Sequence, residues 1–288
     1  MPGANRIAYR DLGFNVVQDA SGDWWLGDGS GLYRFDGPGL QFERGRKLDA
    51  SDGLPEPGLV MGLYRDFDGT LWVGQGDHWL LHVWPSRNRP LRIERVALPI
   101  AGDRWLARRM LRDRAGALWI SCYSAIGRLT NETIAPVAGG VGLPDVQTRW
   151  MLLDRKGRMW LAHRNHGVSM TDQPDALHPA FRSWSSQDGL SSDIAWSLAE
   201  DDAGRIYVGT ARGLDRLDPD SGRIRHIGPA DGLAGATVNS ILKDTHGRLW
   251  AATSGGITIL EQGREFGALR SPDRIFPFRN PGLARSTT

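Results

Sequence analysis

Hydrophobic positions along this chain fall in short runs separated by turns, and one run-turn-run unit recurs. Near residue 240, Val238-Asn-Ser-Ile-Leu-Lys-Asp244 has β-type composition, Asp-Thr-His-Gly closes it, and Arg248-Leu-Trp-Ala-Ala-Thr253 resumes as a second strand. The pattern predicts a hairpin. Its core is an Asp, a Gly three residues on and an aromatic three further: Asp19–Gly22–Trp25, Asp66–Gly69–Trp72, Asp113–Gly116–Trp119, Asp154–Gly157–Trp160, Asp201–Gly204–Tyr207 and Asp244–Gly247–Trp250. The aromatics are spaced by 47, 47, 41, 47 and 43 residues, the period of a four-stranded propeller blade.

Within a unit, the Asp opens a turn and accepts its backbone N–H groups, while the Gly takes positive φ at little cost. Small residues follow the aromatic by two (Gly27, Gly74, Ser121, Ala162, Gly209, Ala252) and predict close approach of a neighbouring backbone. Third strands begin at Gly31-Leu32, Gly167-Val168, Gly213-Leu214 and Gly256-Ile257, and a fourth follows, as in Arg223-Ile-Arg-His-Ile227. A second turn phrase then leads to the next unit: Asp52-Gly-Leu54, Asp188-Gly-Leu190 and Asp231-Gly-Leu233, with Val141-Gly-Leu143 a degraded copy. Four strands cannot bury both faces alone, so units must stack radially. The expected fold is all-β, one β-propeller domain over 1–288 with blades near 14–50, 59–97, 106–138, 147–184, 193–228 and 237–279. The aromatic is its packing wedge.

Composition narrows the partners. Of 35 basic residues only Lys47, Lys156 and Lys243 are lysines, and the formal charge is +2, so no polybasic run points to nucleic acid or anionic membrane. A lone cysteine, Cys122, excludes an internal disulfide and a CxxC motif. The N-terminus lacks the apolar core of a signal peptide, and no stretch approaches the ~18 apolar residues of a membrane span. A soluble protein, or a piece of a longer one, is expected. His163-Arg-Asn-His166 has metal-like spacing but no third ligand in sequence. Asp66-Phe-Asp-Gly69 opens like a calcium loop but lacks the later Glu. No metal and no cofactor are expected.

The strand, Asp-x-x-Gly-x-x-Trp, Gly-Leu and Asp-Gly-Leu phrases together resemble the two-component regulator propeller repeat, over roughly 14–283. That family's repeats form extracytoplasmic sensor regions of bacterial hybrid histidine kinases and of some diguanylate cyclases. The resemblance implies a non-catalytic, periplasmic or extracytoplasmic input domain that binds a small or oligosaccharide ligand, and a homodimer formed through the parent sensor. The second and third repeats depart from the pattern at Gly76-Asp-His-Trp-Leu80 and Cys122-Tyr-Ser-Ala-Ile126. Such propellers usually have seven blades. Six repeats therefore fit a six-bladed ring, closed by Arg6-Ile-Ala-Tyr9, or a truncated array whose tail, Arg274 to Leu283, runs toward another turn phrase.

With strands alternating in direction, Asp-x-x-Gly turns lie on one face of the disc, and Asp-Gly-Leu turns and second-to-third-strand loops on the other. Loops of all blades converge on the latter face. Positions there that break the repeat are the candidate ligand-binding residues: His78 and Trp79; Trp105 and Arg108; Tyr123, beside Cys122; Arg149 and Trp150; His163, Arg164 and His166; Trp196 and Arg212. Arginine forks with flat rings suit an anionic or sugar-like ligand. Two other readings stay open. Gly116-Ala-Leu-Trp-Ile and Ile126-Gly-Arg-Leu-Thr130 are similar to streptogramin lyase repeats, for which His163 or His166 would be the nearest base. A non-catalytic protein-interaction scaffold is the third.

Overall fold

Each Asp-x-x-Gly phrase closes a hairpin, and each hairpin belongs to its own antiparallel sheet. The computed structural model describes residues 15–37, 45–55, 58–76, 79–87, 90–98, 106–122, 125–131, 133–137, 142–144 and 147–260. Sheet 1 holds β1 (Val16–Gln18), β2 (Trp24–Asp28), β3 (Gly31–Phe35) and β4 (Arg46–Lys47). Sheet 2 holds β5 (Val60–Arg65), β6 (Leu71–Gln75), β7 (Trp79–Trp84) and β8 (Arg92–Ala97). Sheet 3 holds β9 (Arg109–Arg112), β10 (Leu118–Ser121), β11 (Ile126–Thr130) and β12 (Thr133–Pro136). Sheet 4 holds β13 (Thr148–Leu153), β14 (Met159–His163), β15 (Val168–Thr171) and β16 (Arg182–Trp184). Sheet 5 holds β17 (Ala195–Glu200), β18 (Ile206–Thr210), β19 (Gly213–Leu217) and β20 (Ile224–Ile227). In sheet 6 the described strands are β21 (Val238–Lys243), β22 (Leu249–Thr253) and β23 (Gly256–Leu260).

The first strands of successive sheets touch one another, β5 with β9, β9 with β13, β13 with β17 and β17 with β21. First strands therefore gather around a common axis and fourth strands lie at the rim, which is the propeller architecture. The suggested closing strand at Arg6–Tyr9 and the tail from Arg274 to Leu283 fall outside the described residues.

The aromatic wedge sits where the repeat requires. Trp25 packs with Val60, Leu63 and Leu71 of sheet 2, Trp72 with Met110 and Leu118 of sheet 3, and Trp119 with Met151 and Leu161 of sheet 4. Trp160 packs with Leu198 and Ile206 of sheet 5, and Tyr207 with Ile241 and Leu249 of sheet 6. Each interface has its own apolar cluster, and no cluster spans the disc. The small residue after the wedge exists for the same contact. A Cβ on Gly74 would lie 2.2 Å from the Ala107 carbonyl oxygen of the next sheet, and one on Gly27 would lie 2.3 Å from Val60 Cγ1.

The aspartate is more than a turn residue. Its Oδ2 accepts the indole N–H of the wedge in five repeats: Trp25 to Asp19 at 2.8 Å, Trp72 to Asp66 at 3.0 Å, Trp119 to Asp113 at 2.8 Å, Trp160 to Asp154 at 2.9 Å and Trp250 to Asp244 at 2.9 Å. Its other oxygen takes backbone N–H groups of the turn, such as Ala117 N to Asp113 Oδ1 at 2.9 Å. In repeats four to six an arginine four residues on joins the same carboxylate: Arg158, Arg205 and Arg248 at 2.5, 2.6 and 2.7 Å. In the fifth repeat, where Tyr207 has no indole, Arg205 makes that bond to Asp201. Asp66 draws its arginine from the next sheet, Arg112 Nε donating at 2.8 Å. Burial works to raise the Asp66 carboxyl, but Arg112, the Phe67 amide and the Trp72 indole outweigh it and hold it below the usual range.

The second turn phrase is likewise a cap. Asp52, Asp188 and Asp231 end single 3-10 turns, and each carboxylate accepts the backbone N–H of the residue three before it, at 3.1, 2.9 and 2.9 Å. The glycine that follows Asp188 has φ 105°, left-handed backbone that any side chain would strain. The next residues, Leu54, Leu190 and Leu233, are buried in the interface clusters.

Two outcomes follow from this packing. Trp119→Phe keeps the ring but strips a buried carboxylate of its donor and leaves a void, so urea unfolding should show a loss of about 2–4 kcal/mol; a loss below about 0.5 kcal/mol would show the bond to be idle. Gly74→Val drives a branched side chain into a carbonyl of sheet 3 and should cost about 3 kcal/mol or more by the same measurement.

Candidate functional site

Four first strands begin with a β-bulge near the axis. The register slips between Val60 and Gly62 in β5, Thr148 and Trp150 in β13, Ala195 and Ser197 in β17, and Val238 and Ser240 in β21. The skipped residues are Met61, Arg149, Trp196 and Asn239. A bulge re-aims the side chain it carries, and these four stand on the face where the Asp-Gly-Leu turns end. The structure brings two of the expected residues together there, the Arg149 guanidinium carbon lying 3.6 Å from the Trp196 ring centroid.

One step inward along the strands a second pair repeats the geometry between sheets 3 and 4. Arg109 lies 3.8 Å from the Trp150 ring centroid. Burial, then the neighbouring Arg108, push the Arg109 guanidinium down to about 9. Arg109 was missed by sequence reading, which chose Arg108 beside it; the register pairing Arg109 with Ser121 was the deciding signal, and it is visible only in the folded sheet. The two pairs form a staircase of guanidinium over indole across sheets 3, 4 and 5. Trp196 Nε1 is enclosed and has no hydrogen-bond partner among the described residues.

The loops around this staircase are held to the strand entries. Gly76 N donates to Leu59 O, Arg164 N to Gln147 O, Ala211 N to Ile194 O and Ser254 N to Thr237 O, all at 2.8–3.1 Å. The same bond in four blades fixes each second-to-third-strand loop beside the start of its own first strand. Arg164, His166 and Arg212 are exposed on these loops, and Arg108 is half-buried.

Two expected residues serve packing instead. His163 is wholly enclosed, with Nδ1 3.2 Å from Thr148 Oγ1 and Nε2 2.9 Å from Ser169 Oγ. Burial, then His166, push it down to about 3, so it is a neutral strut inside sheet 4 rather than a surface group. Trp79 packs against the cluster between sheets 1 and 2 with Arg95 over its ring at 5.6 Å. Cys122 is buried in the next cluster, where burial raises its thiol well above the usual range. His78, Trp105 and Tyr123 lie outside the described residues. Among the described residues no group of three or more His, Cys, Asp or Glu side chains is arranged to hold a metal ion. None of the described helices is long and apolar enough to cross a membrane.

His163 gives acidic pH a route to loosen sheet 4. An unfolded histidine binds a proton below its ordinary value of 6.5, whereas the folded one stays neutral until about 3, so stability is intact above that window and falls through it. The melting temperature should drop from pH ~7 to ~5, and His163→Gln should flatten that slope whatever its own stability.

The comparisons agree with this architecture. Residues 189–212 and 232–255 match the model of the two component regulator propeller, so the fifth and sixth hairpins, with the turn phrases before them, are similar to repeats of that type. No curated protein matches the chain. Among solved structures, the extracellular domain of the hybrid two component system BT3049 from B. thetaiotaomicron is similar at 16% identity and a TM-score of 0.51, covering 88% of this chain and 40% of that one. The extracellular domain of the one component system BT4673 from the same organism gives 16% identity and a TM-score of 0.57, covering 88% and 42%. A virginiamycin B lyase from Staphylococcus aureus gives 14% identity and a TM-score of 0.66, covering 88% and 83%. The chain thus spans about two fifths of the length of the two extracellular domains, and the likeness to all three is one of fold.

Proposed function

We propose that this propeller is a ligand-sensing input domain of a bacterial signal-transduction protein of two-component or cyclic-di-GMP type, working on the extracytoplasmic, periplasmic side. The observation that carries the reading is the match of two of its repeats to the two component regulator propeller. It is supported by the likeness to extracellular domains of such systems. The ligand is a small anionic or sugar-like molecule, taken on the loop face at the bulged ends of the first strands. There the Arg149 guanidinium lies flat on the Trp196 ring, and a planar guanidinium beside an indole is the chemistry that recognises a carboxylate or a hydroxyl pair. Arg164, His166 and Arg212 are the loop groups that would close around it, and a homodimer formed through the parent sensor would pass the signal on.

A lyase is the second reading, favoured by the wide overlap with the virginiamycin B lyase. It needs a base, and His163 is enclosed and engaged on both nitrogens, so of the two histidines on that loop only His166 is exposed. We therefore rank input above catalysis.

A thermal-shift panel of sugar acids, neutral oligosaccharides and amino acids separates the readings. A true ligand at about 100 times its Kd adds about 2.7 kcal/mol of stability, and Arg149→Ala with Trp196→Ala should abolish that gain. A shift that survives the double variant rules out this site, and turnover of a streptogramin by the wild-type chain would favour the lyase.

A further inference from the structure

Opposite each wedge, on the third strand of its sheet, the register places one residue: Arg34 across from Trp25, Arg128 from Trp119, Met170 from Trp160, Arg216 from Tyr207 and Ile259 from Trp250. Sheet 2 alone puts an aromatic there, His82 across from Trp72. His82 stacks on the indole with ring centroids 4.0 Å apart and planes 3° apart, and its Nε2 lies 2.8 Å from Thr70 Oγ1. Two residues further along β7, Trp84 continues the column, 4.0 Å from His82 and tilted by 44°. A line of three rings thus runs from the interface core out to the rim.

It ends in a cleft of about 900 Å³ between the outer strands of sheets 2 and 3, near the upper end of the range for small-molecule sites. On the sheet 2 wall, Arg92 lies over the Trp84 ring at 4.0 Å and donates to Glu94 Oε1 at 2.6 Å. On the sheet 3 wall stand Thr130, Asn131 and Thr133, with Asn131 held at φ 49°, a left-handed turn position. Arg112, deeper in, is committed to Asp66. Arg95, the remaining charged residue of the lining, carries its guanidinium over the Trp79 ring toward sheet 1, so the Arg92–Glu94 pair sets the charge that a ligand in the cleft meets.

We propose that this rim cleft is a second binding site, for a neutral saccharide of about two rings. A sugar has an apolar C–H face that sits on an indole and vicinal hydroxyls that need a donor and an acceptor side by side. Trp84 supplies the first, and the Arg92–Glu94 pair, with the Thr and Asn groups opposite, supplies the second. Arg92 and Glu94 have side chains 66% and 50% exposed, so their ion pair is weakly held. A sugar ring can take the place of Arg92 over Trp84 while both charged groups turn to its hydroxyls. The site is separate from the loop face, lying on the third and fourth strands rather than at the ends of the first.

Saturation-transfer NMR with maltose, cellobiose, lactose and digalacturonate tests it. A neutral disaccharide should bind, with transfer concentrated on the C–H face of one ring, and Trp84→Ala or Glu94→Gln should weaken it at least about tenfold. Arg92→Ala, at an exposed position that cannot unfold the sheet, should also weaken it. The proposal is overturned if no neutral disaccharide binds at about 10 mM, if binding survives Trp84→Ala, or if the only binder is digalacturonate and its signal disappears with Arg149→Ala. That last result would leave the loop-face reading standing and remove the rim site alone.

Discussion

A buried carboxylate that must be satisfied is the constraint on which this fold rests. Taking an aspartate out of water is costly unless its oxygens are fully engaged. In each repeat that engagement ties together a turn, through backbone amides, and a wedge or an arginine, through a side-chain donor. The hairpin cannot close properly without orienting the residue that packs on the next sheet. Local and inter-sheet order are thereby coupled in one residue, and the apolar clusters form between sheets because the wedges are aimed there.

Much of this was legible in the chain. The spacing of the Asp-x-x-Gly-x-x-Trp phrase gave the repeat, the small residue at Gly74 announced the close approach of Ala107, and the Asp-Gly-Leu phrase marked the return to the axis. The Asp–Trp bond was not read, because six residues of separation say nothing about whether a side chain folds back across a turn. The candidate site was read only partly. Arg149 and Trp196 were chosen as departures from the repeat, but their meeting depends on bulges that no composition signal marks. His163 was chosen for its chemistry, and the sheet turned it inward, where Thr148 and Ser169 satisfy it. His82 and Trp84 depart from the pattern on the strand opposite the wedge, where no turn phrase marks a position as exceptional.

The architecture divides labour between positions. Wedges, aspartates and small residues are repeated and set the distance between sheets. Bulged residues at the axis and outer-strand residues at the rim vary from blade to blade at little packing cost, which makes them the places where recognition can be altered. Leu242 and Ile257 on sheet 6 are 66% and 46% exposed, whereas the equivalent Leu111 and Leu152 are partly buried, and the equivalent Leu80 and Leu214 fully buried, against a neighbouring sheet. That contrast measures how much each sheet depends on the one beside it.

The indole-to-carboxylate bonds also make the molecule its own reporter. Five blades each carry one tryptophan proton tied to a known aspartate, and such a proton exchanges with solvent only when its own hairpin opens. The repeat thus distributes five independent clocks around the disc, each keeping the time of a single blade, while the fifth repeat, with its tyrosine, keeps none.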